Sequence, residues 1–136
     1  MIIPFFTVDL REASASVLAY IGDSVYELYV RCHVAEKFST SSGKMHKHTI
    51  KYSSATSQAV AMRALEKELT EEEDKYYRRG RNSNPNSMSK NAAPADYMEA
   101  TGFESLLGYL FLDNQNARME YIISKAFENI DSQNKG

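Results

Sequence analysis

Between Leu10 and His33 the chain reads LREASASVLAYIGDSVYELYVRCH, and this stretch decides the fold class. Apolar residues at Val17, Leu18, Ile21, Val25 and Leu28 recur at the spacing of one helical face. Ala19, Gly22, Tyr26 and Val30 form a second apolar row beside them. A helix that is apolar around most of its circumference belongs in the interior, so the pattern predicts a central, buried helix. Two residues oppose it. Aspartate at position 23 is a poor helix former, and Gly22 costs about 1 kcal/mol relative to alanine inside a helix. Local choices that contradict the surrounding pattern mark candidate functional positions. The residues alone leave a plainer reading open, in which Asp23 faces solvent or pairs with a basic side chain.

Outward from this helix, the serine- and glycine-rich break Ser39–Gly43 ends the first unit. Lys44–Leu69 predicts one long helix or two shorter ones, with Ile50, Ala55, Ala59, Met62 and Leu65 as its core stripe and Ser53–Ser54 as a break. Thr70 followed by Glu73 has capping-box spacing and opens another helix that fades near Gly80. Asn82–Pro94 is polar, holds two prolines and lacks an apolar period, which predicts a long loop. A helix restarts after Pro94 with Phe103, Leu106, Leu107 and Leu110 on one face. A last one, from about Ala117 to Ile130, carries Met119, Ile122, Ile123 and Phe127. Only Ile2–Val8 alternates like a strand. The expectation is all-α: a helical bundle forming one domain over residues 1–136, with 82–94 as a flexible loop.

Sixteen Lys and Arg against eighteen Asp and Glu leave a formal net charge of −2, which argues against coating nucleic acid through bulk charge. The distribution is uneven. Lys44, His46, Lys47, His48 and Lys51 form one basic cluster, and Lys75, Arg78, Arg79 and Arg81 form a second, interleaved with Tyr76 and Tyr77. Lys90 follows in the loop, and acids concentrate in Glu66–Asp74. The single cysteine, Cys32, excludes an internal disulfide and a cysteine-based zinc site, and it fits a reducing compartment. It has no positioned partner, which predicts inert packing. The N-terminus lacks the basic start of a signal peptide, and no apolar run approaches a membrane span. The chain reads as soluble and cytoplasmic, with no membrane partner.

Glu104 repeats the situation of Asp23. It stands in an otherwise apolar helix, and Gly108 lies one turn further along the same face, where a neighbouring backbone, a metal ion or a phosphate can come close. Buried carboxylates need partners, and a divalent cation satisfies two at once; Arg63 or another cation is the alternative partner. Glu27 fits either a third ligand or an i,i+4 pair with Arg31. Gly22-Asp23-Ser24 is similar to the start of a GDS-type lipase motif, but no histidine follows His48 to serve as its base. His46 and His48 have the wrong spacing for two ligands on one helical face.

Ala19–Tyr26, AYIGDSVY, resembles the signature helix of ribonuclease III domains, and Phe103–Leu112, FESLLGYLFL, resembles their second acidic helix. Arg78-Arg79-Gly80-Arg81-Asn82 and Lys90-Asn91-Ala92 are similar to the stand-alone bacterial form, Mini-ribonuclease III, and the resemblance runs in order over nearly the whole chain. It implies a homodimeric, magnesium-dependent endoribonuclease, with manganese as a substitute ion, that cleaves double-stranded RNA to leave 5′-phosphate ends. It further implies maturation of the 23S ribosomal RNA precursor, with a ribosomal protein as an additional partner. It assigns Asp23 and Glu104 to catalysis and to the metal, and Tyr20 to the dimer interface. The candidate RNA contacts are Lys44, His46, Lys47, Lys51, Arg78, Arg79, Arg81 and Lys90. The length leaves no room for a double-stranded-RNA-binding domain. Two positions depart from the pattern: Ala19 and Thr101 stand where larger relatives place a glutamate and an aspartate. These departures are the support for the alternative, a non-catalytic double-stranded-RNA-binding or ribosome-associated helical domain.

Overall fold

Hydroxyl side chains set the starts of most helices. The structure, a computed structural model, describes residues 6–39, 41–83 and 93–135. Helix α1 (Ala15–Phe38) starts at Ser14, whose hydroxyl accepts the Val17 N–H at 3.1 Å. Helix α2 (Ser42–Ser53) starts at Ser41 in the same way. Ser54 ends α2 and caps α3 (Ala55–Leu65), so the Ser53–Ser54 break does divide this stretch into two helices. A 3-10 turn, Glu66–Glu68, leads to α4 (Glu71–Arg81), where Thr70 and Glu73 complete the expected capping box. Helix α5 (Pro94–Leu112) takes proline as its first residue, where the missing N–H is not needed. The polar connection therefore ends at Ala93 rather than Pro94. Positions 84–92, Lys90 among them, lie outside the described residues, as do 1–5. Helix α6 (Asn116–Lys135) completes the bundle. Among the described residues there is no strand, and no helix is long and apolar enough to cross a membrane.

The central helix is α5, not α1. Ala100, Gly102, Phe103 and every residue from Ser105 to Leu110 are buried, and α5 packs against α1, α3, α4 and α6. Helix α1 turns only Leu18, Ala19, Gly22, Tyr26, Val30 and Val34 inward. The neighbouring row, expected in the core, is divided: Leu18 is fully buried, Ile21 and Val25 are half-buried, and Val17 is 41 % and Leu28 59 % exposed. The row that contains Ala19 and Gly22 wins because only small residues let α5 come so close. Ile50 is also exposed, and Thr49 and Tyr52 take the inward positions of α2. Ala59, Met62 and Leu65 are buried as expected, while Ala55 is half-buried.

A Cβ placed on Gly22 would lie 1.8 Å from the Glu104 carbonyl oxygen, and one on Gly108 would lie 2.0 Å from the Leu18 carbonyl oxygen. The two backbones are in direct contact. Helix α4 meets α5 in a similar manner, since a Cβ on Gly80 would lie 2.5 Å from the Ser105 Cβ and one on Gly102 would meet the Tyr77 ring at 2.7 Å. Polar ties hold the periphery. The Tyr26 hydroxyl donates to the Tyr52 carbonyl at 2.9 Å, and the Tyr52 hydroxyl donates to Asp131 at 2.8 Å. Arg118 of α6 grips the buried Glu73 carboxylate at 2.8 and 2.9 Å. Burial alone would raise the Glu73 carboxyl, but the Arg118 and Thr70 hydrogen bonds outweigh it and hold the group below its ordinary range.

Gly108→Ala is expected to lower stability by about 3 kcal/mol, because neither helix can yield a backbone atom to the new methyl group. Gly43→Ala, in open space within α2, is expected to be neutral or to stabilise by up to about 1 kcal/mol. Urea denaturation measures both, and a Gly108→Ala protein as stable as the parent would contradict the direct backbone contact.

Candidate active site

The crossing of α1 and α5 brings two acids together. Asp23 follows Gly22, whose Cα faces the Glu104 carbonyl, and Glu104 stands one turn before Gly108. Asp23 is exposed, whereas Glu104 is half-buried beneath it. Burial, then the charge of Asp23 and a hydrogen bond shared with it, push the Glu104 carboxyl up to about 9. A hydrogen bond from Gln58 opposes that rise.

The arginine named as an alternative partner is elsewhere: Arg63 pairs with Asp96 at 2.7 Å. Glu27 is engaged by Arg31 at 3.2 Å, so its i,i+4 reading holds. Among the described residues no third His, Cys, Asp or Glu joins the pair. At the two positions that depart from the resembled pattern, Ala19 is buried and the Thr101 hydroxyl donates to the Tyr97 carbonyl of its own helix at 3.0 Å. The residue that sequence reasoning missed is Gln58 of α3. Its side-chain nitrogen donates to Glu104 Oε2 at 3.3 Å and to the Ser53 carbonyl at 3.0 Å. A glutamine within an inward row that also holds Met62 and Leu65 was the available signal.

This donor set fits a magnesium-like ion. Such ions take hard oxygen ligands, commonly one or two carboxylates, and fill the remaining positions with water and substrate phosphate. The exposed Asp23 side leaves that space open, and the mutual repulsion of the two carboxylates is what a dication relieves.

The two basic clusters differ. In the second, Arg78 pairs with Asp74 at 2.7 Å and Lys75 with Glu72 at 4.0 Å. Arg79 donates to the Ala13 carbonyl at 2.7 Å and lies over the Tyr76 ring, while Arg81 lies over the Tyr77 ring and reaches its hydroxyl at 3.4 Å. These side chains are already occupied within the fold. In the first, Lys44, His46, Lys47 and Lys51 are exposed, and among the described residues no carboxylate pairs with any of the lysines. His48 stacks on Phe38 with ring centres 3.6 Å apart.

Tyr20 is 80 % exposed, at the edge of an apolar groove of about 680 Å³ that runs beside α1. Ile21, Val25 and Leu28 line it from α1, and Phe111 and Met119 from α5 and α6. Cys32 is not packed inside the core as expected; it is exposed on the same groove.

The Ribonuclease III domain family matches residues 16–115. A Mini-ribonuclease 3 of Clostridium tetani is 43 % identical over 131 residues, covering 94 % of this chain and 87 % of the relative. One of Enterococcus faecalis is 38 % identical, with 93 % and 98 % covered. A crystal structure of a Fusobacterium nucleatum protein superposes with a TM-score of 0.81 over 90 % of this chain and 98 % of that one, at 23 % identity. That likeness establishes the same fold.

The contrast between the basic clusters gives a direct test with duplex RNA in EDTA. Lys47→Ala is expected to leave thermal unfolding unchanged and to reduce the slope of log affinity against log salt by about one. Arg79→Ala is expected to cost about 1–2 kcal/mol of stability through the abandoned Ala13 carbonyl. The reverse pattern would make Arg79 the phosphate contact.

Proposed function

We propose, for a chain that belongs to the ribonuclease III family and within it to the Mini-ribonuclease 3 group, that Asp23 and Glu104 hold the divalent ion its reaction requires. The chain is an endoribonuclease of double-stranded RNA. The observation that carries the assignment is the meeting of two carboxylates across the Gly22–Gly108 contact, with Arg63 committed elsewhere. Magnesium is the ion proposed, with manganese as its substitute. When bound, such an ion supplies a Lewis acid that lowers the pKa of a coordinated water and offsets charge at the scissile phosphodiester.

The protein's own part is placement. Asp23, on the solvent side, is the carboxylate that an incoming phosphate meets first. Glu104 is held from beneath by Gln58, and neither helix can shift without separating the backbones that touch at the glycines. Lys44, His46, Lys47 and Lys51 of α2 present positive charge with few competing partners and are proposed to contact the RNA backbone. The deep, narrow major groove of A-form RNA hides base edges, so recognition rests on helix shape, phosphates and 2′-hydroxyls. The substrate proposed is a paired segment of the 23S ribosomal RNA precursor, cut in the cytoplasm to leave 5′-phosphate ends.

The apolar groove beside α1 supports a homodimer. Exposed Tyr20 and Leu28, with Ile21 and Val25 beside them on the groove, form the kind of contiguous apolar surface that a stable protein covers, and a twofold axis covers it with the same surface of a second copy. Two copies provide two pairs of carboxylates, one for each RNA strand.

Cleavage of a long RNA duplex in magnesium and in EDTA, compared between the parent protein and Asp23→Asn, tests the site. The substitution is expected to reduce cleavage ~100-fold or more while duplex binding persists. Undiminished cleavage by Asp23→Asn would refute the assignment, and no cleavage by either protein would favour a binding module. Separately, Leu28→Asp is expected to sediment as a monomer with its helical circular dichroism intact and to cleave poorly. A Leu28→Asp protein that remains a dimer would move the interface elsewhere.

A further inference from the structure

We propose that Gln58 is a positioning residue of this centre: its amide nitrogen fixes the Glu104 carboxylate, and its carbonyl oxygen accepts a hydrogen bond from water carried by the divalent ion. The proposal rests on the reading of Asp23 and Glu104 as the metal ligands.

Gln58 is only 3 % exposed. Its nitrogen serves two acceptors, the Ser53 carbonyl at 3.0 Å and Glu104 Oε2 at 3.3 Å. Because the Ser53 carbonyl can only accept, the amide must turn its N–H groups to that side. That fixes the other end of the group. Oε1 is left buried with no hydrogen-bond partner among the described residues. Buried polar atoms without partners are costly and uncommon, and one beside a carboxylate pair calls for a donor that arrives with a ligand. Ion-bound water is such a donor, since a magnesium-like ion keeps several of its waters and those waters seek neighbouring acceptors. A leucine or methionine would fill the same space with no orphaned atom, so packing alone does not account for the amide.

At the two positions of α1 and α5 that depart from the resembled pattern, no side chain offers a carboxylate in its place. Ala19 of α1 has no polar side-chain atom, and the Thr101 hydroxyl of α5 is turned toward the Tyr97 carbonyl of its own helix, to which it donates. Gln58 reaches the centre from a third helix, and its second bond ends on the last residue of α2, the helix that carries Lys44, Lys47 and Lys51. The orientation of Glu104 is thereby tied to the seating of the basic helix.

The test measures manganese binding to RNA-free protein by electron paramagnetic resonance, together with thermal unfolding in EDTA and in manganese. Gln58→Leu, close in volume, is expected to bind the ion ~10–100-fold more weakly and to lower kcat with little change in KM for duplex RNA. Gln58→Glu loses both N–H bonds but adds a charged oxygen donor. It is expected to melt lower than the parent in EDTA and to show a larger rise in Tm with manganese. Asp23→Asn serves as the reference for the underlying site. If Gln58→Leu, or Gln58→Glu should the former not fold, responds to manganese as the parent does while Asp23→Asn fails to bind, Gln58 is a packing residue and the proposal is overturned. If Asp23→Asn also binds as the parent does, the reading of the carboxylate pair itself falls.

Discussion

The direct contact between α1 and α5 is the constraint on which the rest of the molecule depends. Packed helices ordinarily keep their axes 8–10 Å apart because side chains stand between them. Here Gly22 and Gly108 remove those side chains, so that a Cβ at either position would overlap a carbonyl oxygen of the other helix. The acids next to this contact inherit its rigidity. Asp23 and Glu104 face each other because their backbones cannot separate, and no long flexible side chain has to span a gap. A centre built on helix backbones holds its geometry more tightly than one built on loops.

Charge is divided between two tasks in a way that the total does not reveal. The acids of Glu66–Asp74 are not a uniform solvated face, since Glu73 is buried, closes the capping box and receives Arg118 from α6. The basic residues after it are drawn into the same part of the fold, Arg78 toward Asp74, Arg79 toward Ala13 and Arg81 toward Tyr77. Helix α2 is different, with exposed lysines and with its end joined through Ser53 to Gln58 and so to Glu104. A slightly acidic protein can therefore present one usefully positive helix.

Most of the helical order was legible because its signals are local. Thr70 and Glu73 are three residues apart, and Ser53–Ser54 interrupts a single apolar stripe. The identity of the central helix was not legible. Helices α1 and α5 are both apolar on several faces, and periodicity cannot distinguish a face covered by the chain itself from one left for a partner. Val17 and Leu28 thus read as core although they lie outside. At the site, the two acids stood out through their adjacent glycines, but their unequal exposure depends on how α3 covers Glu104. Gln58 carries no such local mark, because a lone glutamine in an apolar row is conspicuous only once its neighbours are known. Arg79 is the same kind of case: its acceptor, Ala13, is 66 residues away.

The carboxylate pair also has a history within each molecule. Asp23 belongs to the first helix of the bundle and Glu104 to the fifth, so nearly the whole chain must be synthesised before they can meet. Closing so long a loop is entropically unfavourable until α5 docks, and the unfolded chain holds no preformed pair. Any ion that binds the pair therefore binds the folded protein alone and adds to its stability by mass action. On the proposed assignment, a chain still being made, with α1 emerged and α5 unmade, carries its basic helix but only one of the two carboxylates, and so would have no centre with which to cut the RNA of the ribosome that is producing it.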